Sequence, residues 1–280
     1  MRIALCTISF RHHLLSIGEI ARFARGSGFD GIELWGIHAR NLGPGDHGAW
    51  LADYGLRVPM ISDYLPLDAP PETLTERLDD LCRLAEIWQA PRLRTFAGTK
   101  GSGATSLEER AHVARSLRWS AGYLADRGLR LLVETHPDTL ADTTASLEQL
   151  LEAVDHPALK VNFDVLHVWE GGDDPGTVHG RLAEHVDYYH LKNVRDRADL
   201  PVFAPANVYA AAGRREGMTG LFDGAFDYGA FLETLPPNAE ASLEWFGEAC
   251  FSVLPADLLG VRHATARRRN ETAFHLDMAQ

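Results

Sequence analysis

The sequence of 280 residues predicts an α/β protein of the (β/α)8 TIM-barrel class. Short strand-like segments alternate with helical patterns from end to end, and about 250 residues is the usual length for eight such units in one barrel. A doubly wound open sheet is the alternative, but no GxGxxG fingerprint follows the first strand. Because no linker, repeat or low-complexity segment divides the chain, we expect residues 1–280 to form a single domain.

The predicted strands are short runs bounded by Gly, Pro or Asp, and several lack a clean alternation of polar and apolar residues. Such continuous apolar runs are typical of strands that are buried on both faces of a parallel sheet. In chain order, the eight segments are Ile3–Ser9, Gly31–Trp35, Val58–Tyr64, Leu93–Ala97, Leu131–His136, Leu159–Phe163, Asp187–Lys192 and Ala241–Phe246.

The helices between these strands are indicated by start signals and by apolar spacing. Ser16 with Glu19, and Ser106 with Glu109, each form a capping box ahead of an amphipathic stretch. Pro71 opens another helix, because proline is favoured at the first helical position. Further helical patterns cover Leu147–Val154, Val178–His185, Tyr228–Thr234 and the stretch from Ala256 into the C-terminal tail.

Two other segments stand out from this alternation. The stretch from Val194 to Asp223 has no clear helical or strand pattern, and a loop of that length in a compact domain is usually functional. It follows the seventh strand, so we expect it on the same face as the active site. The basic cluster Arg267–Arg269 lies in the last helix and is interpreted as a solvated face.

Composition excludes several classes of protein. With 27 Lys and Arg against 39 Asp and Glu, the net charge is −12, which disfavours binding to nucleic acid but permits a small acidic substrate. Cys6, Cys82 and Cys250 are too few and too scattered for a disulfide framework, as expected in a reducing compartment. The N-terminal apolar run is too short for a signal peptide, and no segment is long enough to span a membrane. We therefore expect a cytoplasmic protein.

Polar residues at the ends of four consecutive strands predict a metal site. Active sites of such barrels lie at the C-terminal ends of the strands, where Glu134, Asp164, His190 and Glu244 occur in strands five to eight. One carboxylate in such a place would more often be a helix cap or an ion-pair partner. Four such residues on successive strands are not expected by chance. Three carboxylates and an imidazole suit Mn²⁺, Mg²⁺ or Co²⁺, and no CxxC pair suggests zinc bound by cysteine.

Two histidines and two cations lie close to these residues in sequence. His136 and His167 could each orient a metal ligand or act as a general acid or base, and we favour a catalytic role for His136. Arg94 falls inside a buried strand, where it must meet either a structural carboxylate or a substrate anion. Lys192 follows His190 by two residues and therefore projects to the same side.

Two tyrosines are placed where they could bind a substrate. Tyr64 ends the third strand, and Tyr209 lies in the long segment after the seventh. Tyrosines are more often packing residues, yet both positions fall on the predicted active face. We therefore keep both as candidate hydrogen-bond donors to a substrate.

The four candidate ligands resemble the metal site of the xylose-isomerase-like barrel superfamily, which includes sugar isomerases, epimerases and type IV endonucleases. More narrowly, the chain resembles the 3-dehydroshikimate dehydratases of petrobactin siderophore biosynthesis. The strings that carry this second resemblance span the whole chain and are LCTISFRH, GIELWG, MISDYL, RTFAG, ETHP, LHVWE, YYHLKN, NVYAAAG and SLEWFG. The sequence departs from this family in the region Asn41–Gly55 and in the Arg-rich last helix, which leaves the assembly open, a homodimer included.

The resemblance implies conversion of 3-dehydroshikimate to protocatechuate with loss of water. It implies dependence on a divalent metal ion, for which Mn²⁺ is our first expectation and Mg²⁺ or Co²⁺ the alternatives. The product could serve siderophore synthesis or quinate and shikimate catabolism. Residue by residue, the resemblance gives metal-ligand roles to Glu134, Asp164, His190 and Glu244, catalytic roles to His136, His167 and Lys192, and substrate-binding roles to Tyr64, Arg94 and Tyr209.

The chemistry of this reaction suggests how the roles divide. A divalent ion bound to the ketone and its neighbouring hydroxyl would stabilise the enolate that forms when the acidic proton leaves. His136 is our choice for the base that removes this proton, with Lys192 or Glu134 as rivals. Arg94 is expected to hold the ring carboxylate at the end of the substrate opposite the metal.

Three other functions stay open from the sequence. A ketose isomerase or epimerase would use the same metal site, but a neutral sugar leaves Arg94 without a purpose. An abasic-site endonuclease would need more histidine ligands, and the net charge of −12 also counts against it. A non-catalytic binding protein would have no need for the complete ligand set.

Overall fold

Eight parallel strands close into a barrel in the computed structural model, which describes residues 1–40 and 47–278, with side chains to residue 266. Each strand pairs with the next, and the eighth pairs with the first, so the open-sheet alternative is excluded. In chain order the strands are β1 Arg2–Cys6, β2 Gly31–Trp35, β3 Ile61–Ser62, β4 Arg92–Thr95, β5 Arg130–Glu134, β6 Leu159–Asp164, β7 Val186–Leu191 and β8 Glu240–Leu243.

Helices surround the barrel and include one at each predicted position, although the helix predicted from Val178 begins three residues earlier and the last helix begins six residues before Ala256. Their bounds are α1 Ile17–Ser27, α2 Gly36–Arg40, α3 His47–Asp53, α4 Pro71–Trp88, α5 Leu107–Ala125, α6 Thr144–Val154, α7 Val165–Glu170, α8 Pro175–Leu182, α9 Pro205–Val208, α10 Tyr228–Thr234 and α11 Cys250–Met278. Short 3₁₀ helices occur at Thr7–Phe10, Ser102–Ala104 and Arg197–Phe203. The described part of the chain does not include residues 41–46, which belong to the region expected to depart from the family. It also does not include the side chains of Arg267–Arg269.

The helix start signals are confirmed in detail. Ser16 and Glu19 form a complete capping box at the start of α1, and Ser106 with Glu109 does the same for α5. Each serine hydroxyl accepts a hydrogen bond from the backbone of its glutamate, and each glutamate carboxylate accepts one from the backbone of its serine. Pro71 occupies the first turn of α4 as predicted.

Several strands are shorter than predicted, because their last residues turn into the mouth of the barrel. The first strand ends at Cys6, and the predicted continuation to Ser9 is a 3₁₀ helix. Beyond that point side-chain hydroxyls replace ladder bonds: Trp35 donates its backbone N–H to Thr7 Oγ1 at 2.9 Å, and Trp245 donates to Ser9 Oγ at 2.9 Å. An apolar run shows that a segment is buried, but it does not show where the ladder stops.

The segment after β7 is more regular than the sequence suggests. It contains a two-stranded antiparallel pair, Asn193–Val194 with Met218–Thr219, together with one 3₁₀ helix and α9. These elements are too short to produce a visible period, which is why the sequence reads as a loop. Arg11 holds α9 against the barrel by donating from Nε to the Val208 carbonyl at 2.7 Å.

The barrel interior is filled below the C-terminal mouth. Met60, Leu132 and Tyr188 form a small apolar cluster inside the barrel, separate from the large core between strands and helices. At the N-terminal end, Arg92 donates to Asp187 at 2.7 Å and to Glu240 at 2.8 Å. Side chains therefore occupy the barrel interior below the C-terminal mouth. None of the described helices is both long and apolar enough to cross a membrane.

Candidate metal centre and substrate pocket

The structure brings the four predicted metal ligands together. Glu134 ends β5, Asp164 ends β6, His190 lies in β7 and Glu244 follows β8 directly. All four are buried, and one potential ligand atom from each lies within 4.8 Å of the others. The barrel produces this convergence because parallel neighbours end at the same mouth, as shown by the pairing of Asp164 with His190 in register.

His190 directs one ring nitrogen, Nδ1, at the other ligands. Its Nε2–H donates to the carboxylate of Glu33, at 3.0 Å from Oε1 and 2.9 Å from Oε2. In a neutral ring the other nitrogen then carries a lone pair. That atom, Nδ1, lies 3.4 Å from Glu134 Oε1 and 3.5 Å from Glu244 Oε1, with no hydrogen-bond partner among the described residues. A lone pair that faces carboxylate oxygens is repulsive unless a cation lies between them.

The electrostatics of the cluster favour added positive charge. Burial lowers the pKa of His190, but Glu244 and Glu33 raise it, and the net pKa is well above the ordinary value. Burial raises the pKa of Glu244, but His190 and Lys192 lower it to about 2, so this carboxylate is ionised at neutral pH. Arg94 and His190 likewise hold the pKa of Glu134 well below its usual range, against the effect of burial.

The residues present fit a divalent cation. Four carboxylates (Glu33, Glu134, Asp164 and Glu244) face two permanent cations, Arg94 and Lys192, in this buried region, so two negative charges are left over when His190 is neutral. A divalent ion held by Glu134, Asp164, Glu244 and Nδ1 of His190 would neutralise them and would give the unpaired nitrogen a partner.

Lys192 belongs to the ligand cluster itself. Its Nζ lies 2.5 Å from Asp164 Oδ2 and 2.8 Å from Glu244 Oε2, so it projects to the same side as His190, as expected from the spacing. Burial lowers the pKa of Lys192, but the two carboxylates raise it above its ordinary value. The side chain is therefore a cation, which does not suit the role of a base.

Arg94 does not lie opposite the metal ligands, so that expectation is wrong. Its Nε is 2.8 Å from Glu134 Oε2, and both side chains are 4% exposed. The reason is strand register: Arg94 pairs with Leu132, and Glu134 lies two residues further on the same face of the neighbouring strand. From the sequence, the partner of Arg94 could be a structural carboxylate or a substrate anion. The structure shows a structural carboxylate, that of Glu134.

Part of the Arg94 guanidinium is still available to a ligand. Its Nη1 is buried and has no hydrogen-bond partner within the described part of the chain. The guanidinium carbon lies 4.9 Å from the ring centroid of Phe96 and 5.3 Å from that of Tyr64, so two aromatic faces hold the group in place. Arg94 can therefore pair with Glu134 and bind an anion at the same time.

His136 is a neutral histidine with one nitrogen available. Its Nδ1 lies 2.7 Å from the carbonyl oxygen of Pro137, which can only accept, so Nδ1 carries the proton and Nε2 the lone pair. The ring lies between Phe96 and His167, with centroid distances of 4.2 Å and 4.6 Å. Burial, with a smaller effect of His167, lowers the pKa of His136 to about 3.

His167 is held by two carboxylates. Its backbone N–H donates to Asp164 Oδ1 at 3.2 Å, which caps α7, and its Nδ1 lies 2.7 Å from Glu170 Oε2. Glu170 can only accept when ionised, so Nδ1 of His167 is the donor. Burial raises the pKa of Glu170, but the hydrogen bond from His167 lowers it, and the net value is below the ordinary one.

Several of these groups line one open cavity at the mouth of the barrel. The tyrosine hydroxyls of Tyr64 and Tyr209 lie 2.8 Å apart at its edge, and Tyr209 is 49% exposed. The segment after β7 supplies the outer wall. The lining residues are Ile8, Tyr64, Arg94, Phe96, Glu134, His136, His167, Lys192, Phe203, Pro205, Val208, Tyr209, Glu244 and Phe246.

Sequence reasoning missed two carboxylates of this site. Glu33 lies between Ile32 and Leu34 in a buried strand, which is the same signal that singled out Arg94. Glu170 follows His167 by three residues on a short helix, the spacing at which two side chains share a face. A charged residue in a buried strand and a three-residue spacing are both visible in the sequence, but neither pattern shows which side chain the carboxylate contacts.

Comparisons with known proteins agree with this architecture. A family model described as "Xylose isomerase-like TIM barrel" matches residues 21–264. A 3-dehydroshikimate dehydratase from Bacillus anthracis is 43% identical over 267 residues, which cover 92% of this chain and 95% of that protein. An inosose dehydratase from Geobacillus kaustophilus is 29% identical over 107 residues, or 38% of this chain and 33% of the relative.

Solved structures of related proteins have the same fold. The crystal structure of a probable 3-DHS dehydratase involved in petrobactin synthesis, from Bacillus anthracis, superposes with a TM-score of 0.88 at 43% identity, covering 92% of this chain and 97% of the other. An L-ribulose 3-epimerase superposes with a TM-score of 0.78 at 17% identity, covering 98% and 97%, and supports the fold alone. The chain belongs to the xylose isomerase-like TIM barrel family.

Proposed function

We propose that this protein is a metal-dependent 3-dehydroshikimate dehydratase, a hydro-lyase that forms protocatechuate. One observation carries the proposal: Glu134 and Glu244 of the buried four-ligand cluster line the same cavity as Arg94, whose Nη1 has no hydrogen-bond partner among the described residues. The cluster could hold a divalent ion, and Arg94 could hold a carboxylate. The 43% identity to the dehydratase from Bacillus anthracis over nearly the whole chain supports this choice of substrate.

We propose Mn²⁺ as the resident ion, with Mg²⁺ or Co²⁺ as alternatives, because the cluster offers only oxygen and imidazole ligands. Glu134, Asp164, His190 and Glu244 would hold it. When bound, the ion supplies the positive charge that stabilises the oxyanion developing on the substrate ketone.

His136 is the proposed base. Its Nδ1–H is engaged by the Pro137 carbonyl, so its Nε2 is left as the proton acceptor in the pocket. Lys192 is a poorer base, because its ammonium is paired with Asp164 and Glu244. Glu134 is also a poorer base, because Arg94 and the cluster occupy its carboxylate. The geometry thus favours His136 among the three candidates named from the sequence.

His167 is the proposed acid that assists departure of the hydroxyl group. Glu170 accepts the Nδ1–H of His167, so the imidazolium form of the ring would carry its second proton on Nε2 and would give that proton to the leaving hydroxyl. The ring lies beside that of His136, which places a base and an acid in contact with the same small volume. Lys192 contributes a fixed positive charge next to Asp164 and Glu244.

Arg94, Tyr64 and Tyr209 are the proposed substrate-binding residues. Nη1 of Arg94 would donate to the ring carboxylate, and the paired tyrosine hydroxyls would bind polar groups on the ring edge. We also propose that the enzyme is cytoplasmic and that its product serves siderophore synthesis or aromatic catabolism. A homodimer stays a prediction, which sedimentation can check.

The test is a spectroscopic assay with purified protein and 3-dehydroshikimate. We expect the ultraviolet absorbance of protocatechuate to rise with time when Mn²⁺ is present. Product formation should cease after prolonged chelation and resume when the metal is restored. Fructose and tagatose serve as comparison substrates, since an epimerase would use the same cluster. Turnover of a neutral ketose without turnover of 3-dehydroshikimate would overturn the proposal in favour of an isomerase or epimerase.

A further inference from the structure

Glu33 is a buried carboxylate that has no part in the reaction described above. It lies in β2, is fully buried, and accepts hydrogen bonds from Nε2 of His190 and from the hydroxyl of Ser62. A buried carboxylate is costly unless it is paired. The sequence distance between Glu33 and His190 is 157 residues, so this contact exists only because the barrel closes.

The contact determines which nitrogen of His190 faces the other ligands. Both oxygens of Glu33 lie within 3.0 Å of Nε2, and a carboxylate can only accept, so the proton is on Nε2. Nδ1 is then directed at oxygens of Glu134, Glu244 and Asp164, at 3.4 Å, 3.5 Å and 3.9 Å. If the proton moved to Nδ1, no lone pair would be left for a metal ion on that side of the ring.

We propose that Glu33 is a positioning residue of the metal centre, which keeps His190 in the Nε2–H form and aims Nδ1 at the divalent ion. This inference rests on the proposed function only in requiring a metal ion at the cluster. A carboxylate behind a ligand histidine also makes the imidazole a stronger ligand. Ser62 holds Glu33 in turn through its hydroxyl.

The experiment is a calorimetric titration of metal-free protein with Mn²⁺, without substrate. Glu33→Gln should weaken Mn²⁺ binding by about 10–100-fold, the usual effect of removing such a partner. Tyr188→Phe is the matched control, because it removes a fully buried polar group from the same barrel interior, two residues before His190. Tyr188 bonds to Ser242 and does not contact the ligands through its hydroxyl, so binding should stay within about twofold of wild type.

Unchanged Mn²⁺ affinity in Glu33→Gln, or an equal loss in both variants, would overturn the proposal. If Glu33→Gln does not fold, nitrogen NMR of histidine-labelled wild type loaded with Mg²⁺ decides the question, with His190→Asn identifying the signal. A protonated Nε2 and an unprotonated Nδ1 support the proposal, and the opposite pattern contradicts it. Because neither measurement uses substrate, a protein that binds metal but does not convert 3-dehydroshikimate would contradict the dehydratase proposal alone.

Discussion

Arg94 shows how one buried side chain can belong to two parts of a site. Its Nε pairs with the ligand Glu134, and its Nη1 is unpaired among the residues that the structure describes. Burial lowers the pKa of Arg94, but Glu134 and Tyr64 raise it above the ordinary value, so the guanidinium is always charged. In the proposed enzyme, the side chain would couple the substrate carboxylate to a metal ligand.

Arg94→Ala should raise KM for 3-dehydroshikimate by about 10–100-fold, the loss expected for a charged hydrogen bond. Metal affinity should not fall, because the change removes a positive charge from beside Glu134. Steady-state kinetics at saturating Mn²⁺ measures the first effect, and calorimetry the second. Arg94→Lys is the matched comparison, and it should recover only part of the loss, since an ammonium lacks the planar fork. An unaltered KM in Arg94→Ala would remove Arg94 from substrate binding.

His136→Asn should lower kcat by about 10²–10⁴-fold, the contribution usual for a general base. Metal content should stay at the wild-type level, because Nδ1 of His136 bonds to the Pro137 carbonyl rather than to the ligand cluster. Initial rates and elemental analysis of the purified variant check both statements. His179→Asn is the control, since His179 is a buried histidine that contacts Tyr189 outside the cavity. Loss of metal in His136→Asn would show that His136 supports the metal centre instead.

At the scale of elements, the final helix is tied to the segment after β7 by one carboxyl group. Asp257 in α11 accepts a hydrogen bond from the backbone N–H of Leu221 at 2.8 Å. Burial raises the pKa of Asp257 to about 7, and Asp223 adds to this effect, while the bond from Leu221 opposes it. The carboxyl group is therefore protonated more readily in the folded protein than in the unfolded chain.

The pH dependence of stability should show this group. A folded pKa above the unfolded value means that stability is fully present below about pH 4 and is lost as the pH rises through about 7. Asp257→Asn keeps the acceptor but cannot ionise, so at pH 8 it should be more stable than wild type by about 2 kcal/mol, allowing for partial exposure. Urea unfolding of both proteins at pH 5 and pH 8 measures the difference. An equal difference at both pH values would contradict the assignment.

At the scale of the whole molecule, the four candidate ligands come from four different strands or strand ends, so metal binding at this cluster should stabilise the barrel. Mn²⁺ at one hundred times its Kd should add about 2.7 kcal/mol, or roughly 5 °C in Tm for a chain of this size. Thermal unfolding with and without Mn²⁺ measures the shift. Glu244→Gln removes one anionic ligand and should abolish most of it. A full shift in that variant would place Glu244 outside the metal centre.

We propose that residues 1–280 fold as one domain, because the first and last strands pair with each other. β1 and β8 form a parallel ladder, and the terminal amine of Met1 donates to the Pro237 carbonyl at 2.6 Å. Neither half of the chain can complete the barrel alone, so we expect a single cooperative transition in calorimetry. Two separated transitions would show that the chain contains two units.

The sequence by itself determined the fold class and the residues from which the centre is built. Alternation of buried runs with capped amphipathic stretches predicts a barrel of eight units, because each pattern reports a local period and a local burial. All parallel strands of a barrel end at one mouth, so the polar residues at the predicted strand ends are expected to meet there. These residues are Glu134, Asp164, His190 and Glu244.

Only the tertiary structure decided which buried charges are partners. Three pairs of buried side chains determine which nitrogen atoms are left for other partners. Glu33 accepts from Nε2 of His190 and leaves Nδ1 for a metal ion, and Glu134 pairs with Nε of Arg94 and leaves Nη1 for a carboxylate. Glu170 pairs with Nδ1 of His167 and leaves Nε2 for a proton. The first two pairings depend on strand register and on closure of the sheet, and the third on the orientation of a six-residue helix. Closure brings together residues that are far apart in the sequence, and their partners are therefore invisible to any local pattern.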